Sequence, residues 1–330
     1  MFSRLDTLDQ ALLDGFQREF PIETRPFARM ARTLGAFEDD VLIRLRRLQE
    51  AGRIARVGGT VRPNTAGAST LAAIAVPESR IDAVAAQVGA EPGVNHSYLR
   101  EDRVNLWFVA TAPDKAALTE SLDRIRATTG LEVLDLRLVR PFNIDLGFSL
   151  SGQARTLMPT GTPDLNALLE SDRPILHALS QGLALVPRPF EDVAQKLARS
   201  EAEILARIRA LETAGILTRI GVIVRHRAIG WTANAMVVWD IPEERIAEAG
   251  TALARHPGVT LCYQRKTVPG VWPYRLYSMI HARDREEAET ILQGARALPP
   301  LRGVDHKALF SLRCFKQKGA TLARADGKAA

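Results

Sequence analysis

The chain has 330 residues, two cysteines and a formal net charge of +6 that comes mostly from arginine. Its 46% hydrophobic and 25% charged residues are ordinary for a soluble protein. No apolar run approaches the ~20 residues of a membrane span, the acids near the start argue against a signal peptide, and two cysteines make neither a disulfide framework nor a metal pattern. A cytoplasmic, reduced protein is expected, and the charge favours anionic partners such as nucleic acid, phosphates or polycarboxylates without choosing among them.

Residues 5–20 have helical spacing through Leu5, Leu8, Leu12, Leu13 and Phe16. Residues 26–33 read as a second helix, with Pro26 in the first turn, where a missing N–H costs nothing. Residues 38–50 read as a third, with Val41, Leu42, Leu45 and Leu48 on one face and arginines on the other. Gly52 suits the left-handed cap that ends it. Residues 54–61, interrupted by Gly58-Gly59, read as a small hairpin. Helix, helix, helix, hairpin is a winged helix-turn-helix, placed at 1–66.

Residues 67–150 then alternate: strand 71–76, helix 80–88, strands 94–100 and 104–111, helix 115–127 and strand 131–139. This is the β-α-β-β-α-β order of a ferredoxin-like module. The Gly-, Ser-, Thr- and Pro-containing segment 149–163 is the expected linker.

From there the chain repeats itself. Residues 26–62 align without a gap on 189–225, pairing Pro26 with Pro189, Phe27 with Phe190, Arg44 with Arg207, Leu48 with Leu211, Gly52 with Gly215, Arg56 with Arg219 and Gly58 with Gly221. Pro92-Gly93-Val94 matches Pro257-Gly258-Val259, and Tyr98 and Arg100 match Tyr263 and Arg265. A second winged helix-turn-helix is therefore placed at 164–230, its third helix opened by the capping box Ser200-Glu201-Ala202-Glu203. A second ferredoxin-like module is placed at 231–318, and residues beyond it are expected to be disordered. The expected fold is α+β: two tandem units, each a winged helix-turn-helix and a ferredoxin-like βαββαβ module, a combination that resembles the Lrp/AsnC effector type. Their sheets pack together as an intramolecular pseudo-dimer.

Differences between the copies are the guide to chemistry. His96, Tyr98 and Arg100 alternate along one strand and so project from one face. Histidine titrates near neutral pH and can deliver a proton; arginine offers a planar fork for a carboxylate; Tyr98 can donate a hydrogen bond or stack. The alternative is a solvated sheet face or an interface. Tyr263 and Arg265 keep that pair in the second copy, but Leu261 stands where His96 would be, and about Thr111 where His281 would be. His281 lies at a strand end, where a hydrogen-bonded structural histidine is common. His226, opposite Pro63 in the alignment and flanked by Arg225 and Arg227, reads either as an anion or iron contact or as a solvated linker. Trp107 and Trp272 read as core or interface, Cys262 as a buried thiol, and His256 as a helix-end cap.

A winged helix joined to a ferredoxin-like module resembles the AsnC/Lrp family. The motifs Asn95-His96-Ser97-Tyr98-Leu99-Arg100-Glu101, Arg225-His226-Arg227-Ala228-Ile229-Gly230, Cys262-Tyr263-Gln264-Arg265 and Met279-Ile280-His281 are similar to its siroheme decarboxylase subgroup, in a fused, NirDL-type form. The resemblance covers nearly the whole chain. It implies removal of the C12 and C18 acetate carboxyls of siroheme as CO2, to give didecarboxysiroheme on the way to haem d1, with two histidines essential. On that reading His96 and His281 are the catalytic candidates, and Tyr98, Arg100, Tyr263, Arg265, His226 and Arg225 the substrate-binding ones. No metal site and no separate cofactor is expected, because iron enters with the substrate. Expected partners are siroheme and homologous decarboxylase subunits or a second copy, with no membrane and no nucleic acid. The rival is a DNA-binding Lrp/AsnC-type transcriptional regulator. Against it, the third helix of the first copy opens Glu38-Asp39-Asp40 and that of the second carries Glu201 and Glu203, where carboxylates would repel phosphates. A carrier that binds siroheme without transforming it is a third reading.

Overall fold

The computed structural model describes residues 5–143 and 161–319. The first copy runs α1 (Thr7–Gly15), α2 (Pro26–Leu34), α3 (Glu38–Glu50), β1 (Ile54–Val61), β2 (Ala68–Ile74), α4 (Ile81–Ala90), β3 (Val94–Arg100), β4 (Leu106–Ala112), α5 (Lys115–Thr129) and β5 (Leu134–Asn143). The second runs α6 (Arg173–Gln181), α7 (Pro189–Lys196), α8 (Glu201–Thr213), β6 (Leu217–Val224), β7 (Ala233–Asp240), α9 (Ile246–Arg255), β8 (Val259–Arg265), β9 (Leu276–Ala282), α10 (Arg285–Ala297) and β10 (Asp305–Gln317). The expected linker, up to residue 160, and the tail beyond residue 319 lie outside the described residues. Among the described residues no helix is long and apolar enough to cross a membrane.

The helical units share one core. Leu12, Phe27, Met30, Leu45 and Leu48 of the first copy pack with Leu176, Phe190, Ile208 and Leu211 of the second. Phe20 meets Phe27 and Phe190 edge-on, at centroid distances of 5.5 and 6.4 Å. A duplicated ion pair fixes each third helix: Arg44 and Arg47 hold the buried Asp9, and Arg207 holds the buried Asp172. Gly52 and Gly215 close α3 and α8 at φ of +69° and +68°, where a side chain would be strained.

Three local expectations need correction. Residues 54–61 are one unbroken strand rather than a hairpin. β1 pairs antiparallel with β6 of the other copy, in register at Gly58 and Gly221. The two wings thus become one shared ribbon. Its glycines serve close approach, not a turn. A Cβ on Gly58 would lie 2.5 Å from the Leu179 carbonyl oxygen, and one on Gly221 only 2.1 Å from that of Gln17. The first helix ends at Gly15 instead of Phe20, because the Phe16 carbonyl accepts the Val222 N–H at 2.7 Å and Glu19 bridges to Ile220. The capping box of α8 is half made: Ser200 Oγ accepts the Glu203 N–H, but the Glu203 carboxylate turns to Arg199.

The two ferredoxin-like sheets do not stack face to face. They join by their edges into one closed eight-stranded barrel, in the order β10-β3-β4-β2-β5-β8-β9-β7. The last strand of each module pairs with the second strand of the other, β10 with β3 and β5 with β8. Closure removes every open edge. β3 and β8 are separated by an even number of antiparallel steps and run the same way, so the pseudo-twofold relating the copies lies along the barrel axis. Helices α4 and α5 cover the outside of one module and α9 and α10 the other, each over its own apolar core. A third cluster fills the barrel's interior: Ala73, Trp107, Leu136, Met236, Val238, Trp272, Tyr277 and Leu309.

Candidate active site

The barrel is filled at one end and hollow at the other. Above the interior cluster lies a cavity of about 620 Å³, within the usual ~300–1,000 Å³ of ligand sites. Trp107, Tyr277 and Met279 line it from below. β1 and the segments following β1 and β6 close over it. Because the pseudo-twofold runs down the barrel, equivalent residues of the two copies face one space. Tyr98 and Tyr263, and Arg100 and Arg265, line the same cavity.

The wall is cationic. Arg56, Arg62, Arg100, Arg225, Arg227, Arg265 and Lys318 line it, and among the described residues no carboxylate does. Arg100 is 5% exposed; its Nη1 donates to Asn234 Oδ1 and to the Leu309 carbonyl, both at 3.0 Å. Its Nε is buried without a hydrogen-bond partner, as is that of Arg265. Arg265 donates from Nη1 to the Leu136 carbonyl at 3.0 Å and lies 5.0 Å over the Tyr263 ring; Arg100 lies 5.5 Å over Tyr98. Burial pulls the Arg100 guanidinium down to about 10, still cationic at neutral pH. Burial lowers Arg265 in the same way.

The first copy supplies His96 and the second supplies His281, from different strands, with His226 of the second copy beside it. His96 on β3 donates from Nδ1 to Asn95 Oδ1 at 2.6 Å, and Asn95 Nδ2 donates to Thr111 Oγ1. Its ring lies over Tyr98 at a centroid distance of 6.5 Å. Burial, and then the charge of Arg56, depress His96 to about 4, so the ring is neutral at pH 7. His281, on β9, has Thr260 Oγ1 at 2.8 Å from Nδ1 and Asn234 Nδ2 at 2.5 Å from Nε2. His226, in the turn after β6, faces His281 with ring centroids 5.0 Å apart. Burial and the charge of Arg219 depress it to about 3. All eight candidate residues read from the sequence, namely His96, His281, Tyr98, Arg100, Tyr263, Arg265, His226 and Arg225, line this one cavity.

Other expectations sort just as plainly. Trp107 and Trp272 meet edge-on at 5.3 Å in the barrel interior. Cys262 points away from the cavity, into the core beneath α9, and burial raises its thiol. His256 caps α9 and accepts no cavity role. Asn234, Thr260, Asn95 and Arg56 were not singled out from the sequence. The signal existed for Asn234 and Thr260, each a polar residue inside an apolar strand, but their meaning depends on cross-strand register. Among the described residues no cluster of three or more His, Cys, Asp or Glu could hold a metal ion.

Comparison with known proteins agrees with this architecture. Residues 9–54 and 172–217 match the siroheme decarboxylase NirDL-like HTH domain, and residues 66–143 and 228–316 the AsnC-like ligand binding domain. The chain is 62% identical to the siroheme decarboxylase NirDL subunit of Paracoccus denitrificans, over 97% of this chain and 98% of that one. The siroheme decarboxylase NirD subunit of Stutzerimonas stutzeri is 49% identical over 44% of this chain and 96% of its own length, so the two-unit chain has a relative built of one unit. Among solved structures, the siroheme decarboxylase NirDL in co-complex with an iron-uroporphyrin III analogue is 29% identical, with a TM-score of 0.68 over 96% of this chain and 95% of the other.

Proposed function

From the premise that this chain belongs to the siroheme decarboxylase family, we infer that it removes carboxyl groups from siroheme as CO2. The observation that carries the reading is the 62% identity to a siroheme decarboxylase over nearly the full length of both chains. The cavity fits it: arginines with no competing carboxylate among the described lining residues suit a macrocycle bearing many carboxylates, and two histidines suit proton delivery. The regulator reading is not favoured. The third-helix arginines Arg44, Arg47 and Arg207 are tied to Asp9 and Asp172, and the acids at the helix starts pair with Arg25 and Arg188.

The bonds lost are the C–CO2 bonds of the C12 and C18 acetates. At each, the carbon–carbon pair of electrons passes into the tetrapyrrole, CO2 leaves, and one proton from solvent ends on the residual carbon, so acetate becomes methyl. Arg100 and Arg265 grip carboxylates near the floor and Arg225 at the rim. Tyr98 and Tyr263 flank the ring. His96 and His281 hold and deliver the protons, with His226 beside His281. The resting site disfavours imidazolium, since burial and Arg56 both hold His96 neutral. A bound polyanion reverses the second cause by setting negative charge against Arg56, and so raises the proton affinity of the histidines where the reaction needs it. Iron arrives with the substrate. The chain works in the cytoplasm and associates with a second copy or with homologous subunits.

Anaerobic incubation of purified protein with siroheme, read by mass spectrometry, tests the reading. Loss of two CO2 units per macrocycle is expected. Siroheme bound but unchanged in mass would make the protein a carrier instead.

A further inference from the structure

We propose that Asn234 is a positioning residue that sets the proton state of His281, and that Arg100 of the other copy sets Asn234. An arginine has no acceptor, so its 3.0 Å contact fixes Oδ1 of Asn234 toward Arg100. The Asn234 amide NH2 must then face His281 Nε2, at 2.5 Å. Nε2 is therefore the unprotonated, accepting nitrogen. The proton sits on Nδ1 and is donated to Thr260 Oγ1 at 2.8 Å, while the Thr260 hydroxyl donates onward to the Met279 carbonyl at 3.1 Å.

No other assignment satisfies this chain. Reversing the amide sets its NH2 against the guanidinium. Protonating His281 sets Nε2–H against the amide NH2. His281 can accept a proton at Nε2 only if Asn234 turns, and Asn234 turns only when Arg100 releases it. A carboxylate is a stronger acceptor for arginine than an amide oxygen. A substrate carboxylate at Arg100 thus frees Asn234 to offer Oδ1 to a protonated His281. The groups facing His281 agree with this control. Among the described residues they include Asn234 from β7, Thr260 from β8, Arg100 from β3 through Asn234, and His226 from the turn after β6. None of these four is a carboxylate that would stabilise imidazolium without the switch. The register supports a positional origin: Asn234 stands directly opposite His281 in the β7–β9 ladder.

The proposal rests on the decarboxylase reading only for why the proton matters. Its test is histidine-labelled nitrogen NMR on the full chain without substrate at pH 7, with the His281 signal assigned by its loss in His281→Gln. The wild type should show a neutral ring protonated on Nδ1. In Asn234→Asp, a near-isosteric change, the carboxylate accepts from both Arg100 and His281, so His281 should be protonated on both nitrogens. In turnover, Asn234→Asp should shift the kcat–pH profile to higher pH. Asn234→Leu should lower kcat about tenfold or more with KM within about twofold. A wild-type ring protonated on Nε2, or an unchanged His281 spectrum in Asn234→Asp, would overturn the proposal. Should the wild type leave siroheme unchanged, the functional reading fails, while the spectra of the ligand-free protein still decide this inference.

Discussion

The two ferredoxin-like modules use the same framework for unequal purposes. Tyr98 and Arg100 on β3 recur as Tyr263 and Arg265 on β8, and in both copies the guanidinium lies over the tyrosine ring. The histidines do not recur. His96 on β3 faces a cavity to which β8 contributes Leu261, while His281 on β9 has Thr111 as its counterpart on β4. Their supports nevertheless coincide. Asn95 holds Nδ1 of His96, and Thr260, at the equivalent position, holds Nδ1 of His281. Each copy therefore keeps one polar support and attaches a different histidine to it. Because the barrel brings both copies to one space, they form a single cavity with two unlike walls rather than two separate cavities.

Making the walls alike should have the largest effect. His96→Leu and His281→Thr each install the residue of the other copy. Each should lower decarboxylation about 10²–10⁴-fold, followed by mass loss from siroheme under single turnover. If either variant retains full activity, that histidine is not part of the chemistry and the asymmetry is incidental.

The arginines sharpen the contrast at smaller scale. Arg265→Gln removes the proposed carboxylate contact together with the Leu136 hydrogen bond, and should raise KM about tenfold. Arg100→Gln should raise KM similarly and also lower kcat, because Arg100, unlike Arg265, is hydrogen-bonded to Asn234. Identical steady-state parameters for the two variants would break the distinction.

Acid stability should show the smallest difference. His96 titrates near 4 in the fold against about 6.5 unfolded. Between those pH values the unfolded chain binds the proton that the folded chain refuses, so stability falls as pH drops through that window and is unaffected above it. His226, held near 3, acts in the same direction. The wild-type Tm should fall between pH 6.5 and 4, and that of His96→Leu should fall less, by about 2–4 °C. Parallel Tm curves for the two proteins would show that His96 is not held neutral by the fold.

Much of this was legible from the chain, for identifiable reasons. Helical and strand periods persist over whole elements, and the repeat supplied a second reading of each, so α3 and β3 fall where the pattern placed them. The alternation His96, Tyr98, Arg100 turned one face inward because a strand leaves no other option. What misled was local. Gly58-Gly59 suits a hairpin turn as well as a close crossing, and only the partner strand β6 decides between them. His226 suited a solvated linker until the turn after β6 folded over the barrel mouth against His281.

The sequence by itself determined the duplicated unit, the order of its elements and which residues carry charge or a proton, because these depend on neighbours a few positions apart. Tertiary structure alone decided that the wings merge into one ribbon, that two sheets close by their edges, and that Arg100 of one copy reaches Asn234 and, through it, His281 of the other. Those contacts join residues about 50 to 220 positions apart, and their energy comes from pairing open strand edges and buried donors that no local pattern can match to a partner.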